Sequence, residues 1–472
     1  MRNFTITLYA FHLRHILTDS PNEVDYRESS LLWENLVKLG DSLPFHGLKD
    51  LRSKLVCYQN NEYGSKLDQS LPNDWLTDNG ILNLGSITTE NLEIEAELQP
   101  FLLNDTYAVD LTLFPKSPDT PISVSQLQQF KPSCLLPSLI QASIGQTLWI
   151  YGEVDEHENC QELANKYAEA LLAGTNLKPV LLSQGKLFGS QLFEYQSNDP
   201  NEPQNCTKRC HILISLNNNH ASTPKLLGEA YNWLINLLCC YHKIFYIYQE
   251  ACQRKPQARK IYSKLNNQVL KTLNQVAPSE TELDVMKDWL KQLPQDALKY
   301  NVCLRDLNAH HTSIETNIAN YRTCLQKITD IGDVPSCWQV FLNRCYQWQT
   351  QIEIDINYLT PGKDLFERMI DSIRGIVEIE QAKQDRSLER TVQIVGFALG
   401  GGAMVSGVIA EHVEKPFIWL PNFKYPRHPI TNSLILSILA TLLLYLIALW
   451  WTKPKHKSLN SPKHTENRNF EK

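Results

Sequence analysis

The sequence predicts an α+β cytosolic domain, then an all-α coiled-coil or helical bundle, and finally a C-terminal hairpin of two transmembrane helices. Three observations predict this architecture. Short runs of alternating apolar and polar residues, typical of strands, recur through the first 220 residues. From residue 221 onward the apolar residues recur at helical spacing instead. Near the end of the chain, two stretches, 391–410 and 430–451, contain no Asp, Glu, Lys or Arg.

The N-terminus predicts a first strand and not a signal peptide. Phe4, Ile6 and Leu8 alternate with polar residues, and neither a continuous apolar core nor a small-residue cleavage site follows. The 12 cysteines have no disulfide-framework spacing, and several fall inside predicted helices. We therefore expect reduced, buried thiols. The net charge of −6 provides no basic surface, so no nucleic-acid partner is expected.

The first domain, 1–220, contains a predicted β-hairpin. The run 92–98 places its apolar side chains on one face, Asn104 and Asp105 form the turn, and the run 107–113 alternates in the same way. The other predicted strands are 148–151, 179–182, 187–195 and 212–216, and the predicted helices are 23–43 and 160–172.

The second domain, 221–360, is predicted to be a helical bundle. Residues 302–329 carry apolar side chains at unbroken heptad spacing, and 338–359 repeat the pattern after a turn at 332–335. The two helices are therefore expected to form an antiparallel pair. His311 is the polar residue on the seam of the first helix. It is either a pH-sensitive or metal-binding residue, or a polar heptad position that sets register.

A stalk helix, 361–390, is predicted to continue into the first transmembrane helix, 391–410, because no proline or Gly-Pro break separates them. Small residues recur on one face of that helix at Gly396, Gly400, Ala403 and Gly407. Such a face lets helix backbones approach closely in lipid. We expect it to pack either on the second transmembrane helix or on the same helix of neighbouring subunits in a homo-oligomer.

The second transmembrane helix, 430–451, is the more apolar of the two. Trp450, Trp451, Lys453 and Lys455 close it, as expected for anchors at the interface with the lipid bilayer. Basic residues before the first helix and in the tail 452–472 favour cytoplasmic N- and C-termini. The sequence thus predicts a multi-pass protein of a bacterial inner (cell) membrane.

This order of elements resembles the CorA-like metal-ion transporters, from about Leu226 to the C-terminus. The resemblance implies an oligomer in which the first membrane helix lines a pore. In that family the helix ends in Gly-Met-Asn, whereas this chain has Ser406 to Glu411 there, and its Gly-Ala-Met stands at 402–404. No ion-binding residue is therefore carried over.

Motifs for catalysis and for cofactors are scarce. Cys206, Cys210 and His211 could belong to a zinc site, but a second pair of ligands is not evident, so a strand preceded by a polar loop is favoured. The segment 183–190 lacks the order of a phosphate-binding loop and is interpreted as a hairpin turn. We therefore predict no catalytic, cofactor-binding or metal-binding residues, no cofactor, and no enzymatic activity.

Three functions remain compatible with this pattern. The first is a sensor or effector whose cytosolic domain binds an unknown ligand or protein and signals through the stalk helix to an oligomeric membrane module. The second is a divergent CorA-like cation transporter or channel. The third is a membrane-tethered adaptor that uses the heptads of 302–359 as its interaction surface.

Overall fold

The computed structural model describes residues 1–14, 29–64, 76–77, 80–89, 91–202, 205, 208–218, 220–273, 280–410 and 429–451. Within this part the chain divides into two compact units. The first consists of Met1–Val276 and Leu293–Glu367, and the second of Ala277–Gln292 and Arg368–Lys472. The prediction of an α+β domain followed by a long helical region is confirmed.

The first unit is built on an eight-stranded sheet with the order β4-β5-β6-β1-β7-β10-β9-β8. All neighbouring strands are antiparallel except β7 and β10. The strands of this sheet are β1 (Arg2–Leu13), β4 (Leu82–Thr88), β5 (Glu93–Leu103), β6 (Thr106–Pro115), β7 (Gly145–Glu153), β8 (Val180–Leu187), β9 (Ser190–Ser197) and β10 (Cys210–Asn217), and a separate two-stranded ribbon consists of β2 (Tyr58–Gln59) and β3 (Glu62–Tyr63).

In the described residues, five α-helices, three of them single turns, and two 3₁₀ helices belong to the α+β part, and five long α-helices follow it. The α-helices are α1 (Leu31–Ser42), α2 (His46–Lys49), α3 (Leu51–Lys54), α4 (Pro137–Ile140), α5 (Cys160–Leu171), α6 (Thr223–Leu273), α7 (Glu280–Ile331), α8 (Ser336–Leu359), α9 (Pro361–Ala410) and α10 (Pro429–Trp451), and the 3₁₀ helices are Ser125–Phe130 and Pro132–Leu135.

One face of the sheet carries the hydrophobic core. Alternate residues of β1, such as Ile6 and Leu8, are fully buried there against α1, where Trp33 and Leu36 are fully buried too. The predicted hairpin is confirmed as β5 and β6, and Asn104 has the positive φ of 58° that its turn requires. Because the side-chain period of a strand is 2, the other residues of each strand point to the opposite face.

That opposite face is covered by helix α6, although many of its side chains are polar. The strand register places Asp110, Tyr9, Thr147 and His211 side by side in one row across four strands. The next row contains Thr112, Thr7 and Trp149. Sequence alternation thus identified these four strands, but it could not show that their polar face lies under a helix. We refer to this surface as the polar face of the sheet.

The second unit contains helix α10 and the paired part of helix α9 from Arg368 onward. Gly401 and Gly402 lie where these helices meet, since a Cβ atom at Gly401 would stand 2.6 Å from Leu444 Cδ1, and one at Gly402 would collide with Thr441. Ile394, Ala398 and Ala448 are buried in this unit. Close approach of the two helices therefore depends on the neighbours of the predicted glycine stripe.

The predicted transmembrane hairpin is wrong. Within the described part of the chain, no helix is long and apolar enough to cross a membrane. Both helices exist, as α9 and α10, but over their described residues neither meets the joint requirement of length and apolar character for a hydrocarbon core of roughly 30 Å. The predicted localisation as a multi-pass inner-membrane protein is wrong for the same reason.

Candidate functional site

A cleft of about 650 Å³ lies in the first unit, between the β5–β6 turn, helix α6 and helix α7. This volume is in the range of sites for small molecules. The residues that contribute most of its polar groups come from α6 and α7 and are Asn236, Lys243, Glu250, His310, Thr312, Ser313, Thr316, Asn317, Asn320 and Thr323. Hereafter this cavity is called the cleft.

An ion pair between a buried lysine and a half-exposed aspartate forms one end of the cleft. Lys243 of α6 is 8% exposed, and its ammonium group donates a hydrogen bond to the carboxylate of Asp105 in the β5–β6 turn. Burial alone would raise the pKa of Asp105, but the charge and hydrogen bond of Lys243, together with hydrogen bonds from Thr106 and the backbone, hold this pKa below its usual value. The positive charge of Lys243 is therefore already neutralised by its partner.

The α7 wall of the cleft is rich in hydrogen-bond acceptors. The hydroxyl groups of Thr312, Thr316 and Thr323 each donate to the backbone carbonyl four residues earlier, over 3.2, 2.9 and 2.9 Å. Each hydroxyl proton is thus used within the helix, while the oxygen lone pairs remain available. The Asn317 amide also donates to its own helix, to Ser313 O at 2.8 Å.

Two titratable groups complete the cleft. Burial raises the pKa of Glu250, partly offset by the charge of Arg254. Burial also lowers the pKa of His310, whose Nε2 has no hydrogen-bond partner in the part of the chain that the structure describes. His310 is therefore a neutral imidazole at pH 7. Taken together, the cleft offers no unpaired positive charge from its described lining.

Three thiols line the same cavity without the properties of nucleophiles. Burial raises the pKa of Cys239 to about 11 and that of Cys324 to about 11, and it raises the pKa of Cys240 well above its ordinary value. The thiolate is the reactive form of cysteine, and it is scarce at neutral pH in such surroundings. This arrangement favours binding over covalent catalysis.

A second polar cluster lies between the polar face of the sheet and helix α6. Glu194 accepts a hydrogen bond from His211 Nε2 at 3.1 Å, and Thr147 Oγ1 lies 2.9 Å from His211 Nδ1 and 2.8 Å from His242 Nε2. Burial would raise the pKa of Glu194, but the bonds from His211 and Ser183 hold it below its usual value. The carboxylate is therefore ionised.

The ionised Glu194 can only accept, so His211 Nε2 donates to it. Thr147 Oγ1 bridges His211 Nδ1 and His242 Nε2. His242 is 1% exposed, and burial lowers its pKa well below the ordinary value, so it is neutral. Thr147 is fully buried and no substrate can reach it. The chain of bonds thus joins the sheet to α6 and is not a catalytic relay.

The structure places the predicted helix-packing residues in different surroundings. A Cβ atom at Gly396 or Gly400 would meet no described atom within 4 Å, and Ala403 is exposed. The side-chain surroundings of Gly407 are outside the described part. The role of this stripe in contacts between subunits stays a prediction, and contacts within the chain use Gly401 and Gly402 instead.

The residues predicted as membrane anchors are only partly described. Trp450 is 73% exposed, while the Trp451 side chain, Lys453 and Lys455 lie outside the described residues. Their assignment depended on the transmembrane hairpin and is not retained.

The remaining candidates from the sequence separate in space. Cys210 faces the hydrophobic core, whereas His211 is on the opposite, polar face, as successive strand residues must be. Cys206 is not among the described residues. No group of three or more His, Cys, Asp or Glu that could hold a metal is found in the described part. Segment 183–190 is, as predicted, part of a hairpin, with its turn at Phe188 and Gly189.

His311 lies on the seam of α7 as expected, among buried neighbours such as Leu307, Ile314 and Ile318. It is half-buried, its Nε2 has no partner among the described residues, and its neighbour His310, not His311, lines the cleft. Sequence reasoning missed the cleft residues. The polar residues between the heptad positions of 312–320 were visible in the sequence. Such residues are typical of the solvent-exposed face of a helix, so they did not indicate a cavity.

Comparison of the chain with protein-family models and with curated proteins finds no match. The function of the protein is therefore inferred from the geometry of its cavities.

Proposed function

We propose that this protein is a sensor that binds an uncharged, hydrogen-bond-donating small molecule, such as a polyol or a nucleoside, in the cleft. The observation that carries the proposal is a cavity of about 650 Å³ whose α7 wall presents hydroxyl oxygens with their lone pairs free. A ligand rich in O–H and N–H groups satisfies such acceptors.

The charges of the cleft favour a neutral ligand over an anion. Lys243 is already paired with Asp105, and His310 is neutral. An anion would meet the Glu250 carboxylate without a free cation to compensate it among the lining residues. Trp233, which is 37% exposed at the same cleft, offers an apolar ring on which a sugar or base could stack.

Helix α7 provides a route for the signal. Residues 310–324 of α7 form the cleft wall, and the same helix begins at Glu280, in the second unit. A ligand that bonds to both α6 and α7 favours one spacing of these helices over others, and a ligand can shift a conformational equilibrium only through such a difference. The sensor function predicted from the sequence is thereby retained without a membrane module.

The proposal is tested by thermal unfolding in the presence of neutral sugars, polyols and nucleosides, with their phosphorylated forms as charged counterparts. We expect at least one neutral compound to raise the melting temperature, since a ligand that binds only the folded state stabilises it. Thr316→Trp fills the cleft and should abolish the shift. Ala319→Trp is the control, because Ala319 is exposed on the same helix and does not line the cleft.

Two outcomes contradict this function. One is that phosphorylated compounds stabilise the protein and their neutral counterparts do not, which would place a cation in the site. The other is that Thr316→Trp responds to the neutral ligand as the wild type does.

A second function, self-association through the second unit, is favoured by its exposed apolar side chains. Val392, Phe397, Leu399 and Met404 of α9 are between 56% and 78% exposed, and many apolar residues of α10 are between 38% and 73% exposed. Contiguous apolar surface of this kind marks contact sites for partners. The predicted homo-oligomer through this region thus becomes a proposal for an assembly in which the glycine stripe of α9 faces a second copy.

Light scattering tests this assembly, because the chain alone has a mass of 54.2 kDa. We expect a multiple of that mass for the wild type and a shift toward 54.2 kDa for Gly400→Leu, since Gly400 has open space around it. Gly228→Leu is the control, as Gly228 is a helical glycine with equally open surroundings in the first unit. A monomeric wild type contradicts the assembly.

A further inference from the structure

A small cavity lined by aromatic rings lies on the polar face of the sheet, apart from the cleft. Its volume is about 280 Å³, and its rings belong to Tyr9 of β1, Trp149 and Tyr151 of β7, and Tyr231 of α6. The ring centroids of Tyr9 and Trp149 are 6.2 Å apart at an interplanar angle of 62°. We call this cavity the aromatic pocket. Rings that meet at a steep angle form adjoining walls rather than a flat stack.

A buried carboxylate lies behind the aromatic pocket. Asp110 is 3% exposed and accepts a hydrogen bond from the Tyr231 hydroxyl at 2.7 Å and another from Thr112 at 2.7 Å. Thr112 Oγ1 also lies 2.9 Å from Thr7 Oγ1. Because Thr112 donates its proton to Asp110, it accepts from Thr7, whose lone pairs are left facing the pocket that Thr7 lines. Dipoles and charge thus make the pocket electronegative.

No positive charge compensates Asp110 within the described part of the chain. It takes part in no ion pair there, and no Lys, Arg or His lines the pocket. Burial raises the pKa of Asp110 to about 6, and the Glu97 charge on β5 adds to that shift. A buried carboxylate that is hydrogen-bonded but has no counter-ion is unfavourable, and a cation in the pocket would relieve this cost.

Helix α6 leaves room for an occupant. Gly228 lines the pocket, and a Cβ atom there would meet no described atom within 4 Å. Glycine inside a helix is less favourable than alanine, so the space at Gly228 comes with a lower helix propensity. A neighbouring cavity of about 410 Å³ shares Thr5, Tyr151 and Pro224 with the aromatic pocket and provides a path toward it.

We propose that the aromatic pocket binds a small alkylated ammonium cation, with the faces of Tyr9, Trp149, Tyr151 and Tyr231 against its methyl groups and Asp110 providing the balancing charge. Aromatic faces attract such cations through their negative quadrupole. A metal ion is a poor fit, since hard cations require several oxygen ligands at short distance and four of the lining groups are rings. The site is independent of the cleft and of the sensor function proposed for it.

Choline is the probe, and its uncharged isostere, in which carbon replaces the ammonium nitrogen, is the comparison. The two molecules have nearly the same shape and differ in charge. Isothermal titration calorimetry of the full chain should show choline binding, with the isostere about tenfold weaker or more. Equal affinity for the two compounds overturns the proposal, because the pocket would then select only shape. Absence of heat at millimolar choline also overturns it.

Two variants locate the site. Gly228→Leu fills the pocket and should abolish choline binding, whereas Gly375→Leu, a helical glycine with open surroundings in α9, should leave it unchanged. Asp110→Asn removes the charge while keeping a similar shape. It should therefore lower the affinity for choline about tenfold and leave the affinity for the isostere unchanged. Choline binding that survives both Gly228→Leu and Asp110→Asn would place the ligand elsewhere and overturn the assignment.

The pH dependence gives a further check on the same titration. Choline affinity should fall as the pH drops through about 6, where Asp110 becomes protonated. The other titratable groups around Asp110 are Glu97 on β5, Tyr9 on β1 and Tyr231 on α6, and both tyrosines are neutral here because burial raises their pKa. A constant affinity between pH 5 and pH 8 contradicts the role given to the Asp110 charge.

Discussion

At the scale of single residues, the polar groups beneath helix α6 were the hardest feature to anticipate. In the sequence, Thr5, Thr7 and Tyr9 alternate with core residues and look like the solvated side of a strand. In the structure, Thr7 is 7% exposed and Tyr9 lines a pocket. Alternation specifies which side chains share a face, but only the tertiary fold decides whether that face meets water. Asp110 became a site candidate only when the strand register placed it beside Tyr9 on the polar face of the sheet.

The burial of Asp110 should make the free energy of unfolding depend on pH. The pKa of this carboxyl is raised from 3.8 to about 6 on folding. Since the unfolded state releases the proton more readily, stability decreases as the pH rises from about 4 to 6 and then stays level. A pKa shift of this size corresponds to a change of about 3 kcal/mol in the free energy of unfolding. Asp110→Asn should therefore be more stable than the wild type at pH 8 and similar to it at pH 4.

Urea unfolding of both proteins at the two pH values measures this difference. Asp119→Asn is the matched control, because Asp119 is an exposed carboxylate outside the pocket and its replacement should alter stability by less than about 0.5 kcal/mol. If Asp110→Asn were less stable than the wild type at pH 8, the carboxylate would have a stabilising partner, and the argument for an uncompensated charge would be wrong.

At the scale of elements, local patterns predicted most helices and strands because their periodicity is local. The hairpin at 104–105, the helix from Cys160 and the antiparallel helices around 332–335 are all found close to their expected positions. Strand β4 (Leu82–Thr88) was not predicted, since its exposed edge position leaves only Leu84 buried. The cleft was not predicted either, because its walls come from elements about 70 to 200 residues apart in the sequence.

Asp333 in the α7–α8 loop is expected to anchor the β8–β9 turn. The Gly189 amide donates to the Asp333 carboxylate at 2.9 Å, and the Phe188 amide donates to the Asp333 carbonyl at 3.0 Å. Asp333→Ala removes the first bond, so the Gly189 amide should exchange with deuterium about tenfold faster or more, corresponding to roughly 1–2 kcal/mol. The carbonyl bond to Phe188 remains, and its amide serves as the internal control. Unchanged exchange at Gly189 would contradict this anchoring role.

At the scale of the whole molecule, the first unit contains the sheet, the cleft and the aromatic pocket, and the second unit contains α10 and most of α9. The predicted membrane hairpin followed from two stretches without charged residues, but such stretches do not establish that a helix spans a bilayer, and no described helix meets that requirement. Helix α7, which contributes to both units, is the element through which a bound ligand would act. We therefore expect the cleft to hold a small neutral molecule.

Native mass spectrometry of the gently purified protein shows whether a small molecule occupies the cleft. The wild type and Ala319→Trp should both carry a bound molecule of small mass, and Thr316→Trp should be found at the bare mass of its chain, because its indole occupies the cleft. Bare masses for all three proteins, or the same adduct on Thr316→Trp as on the wild type, would contradict the assignment of the cleft as the binding site.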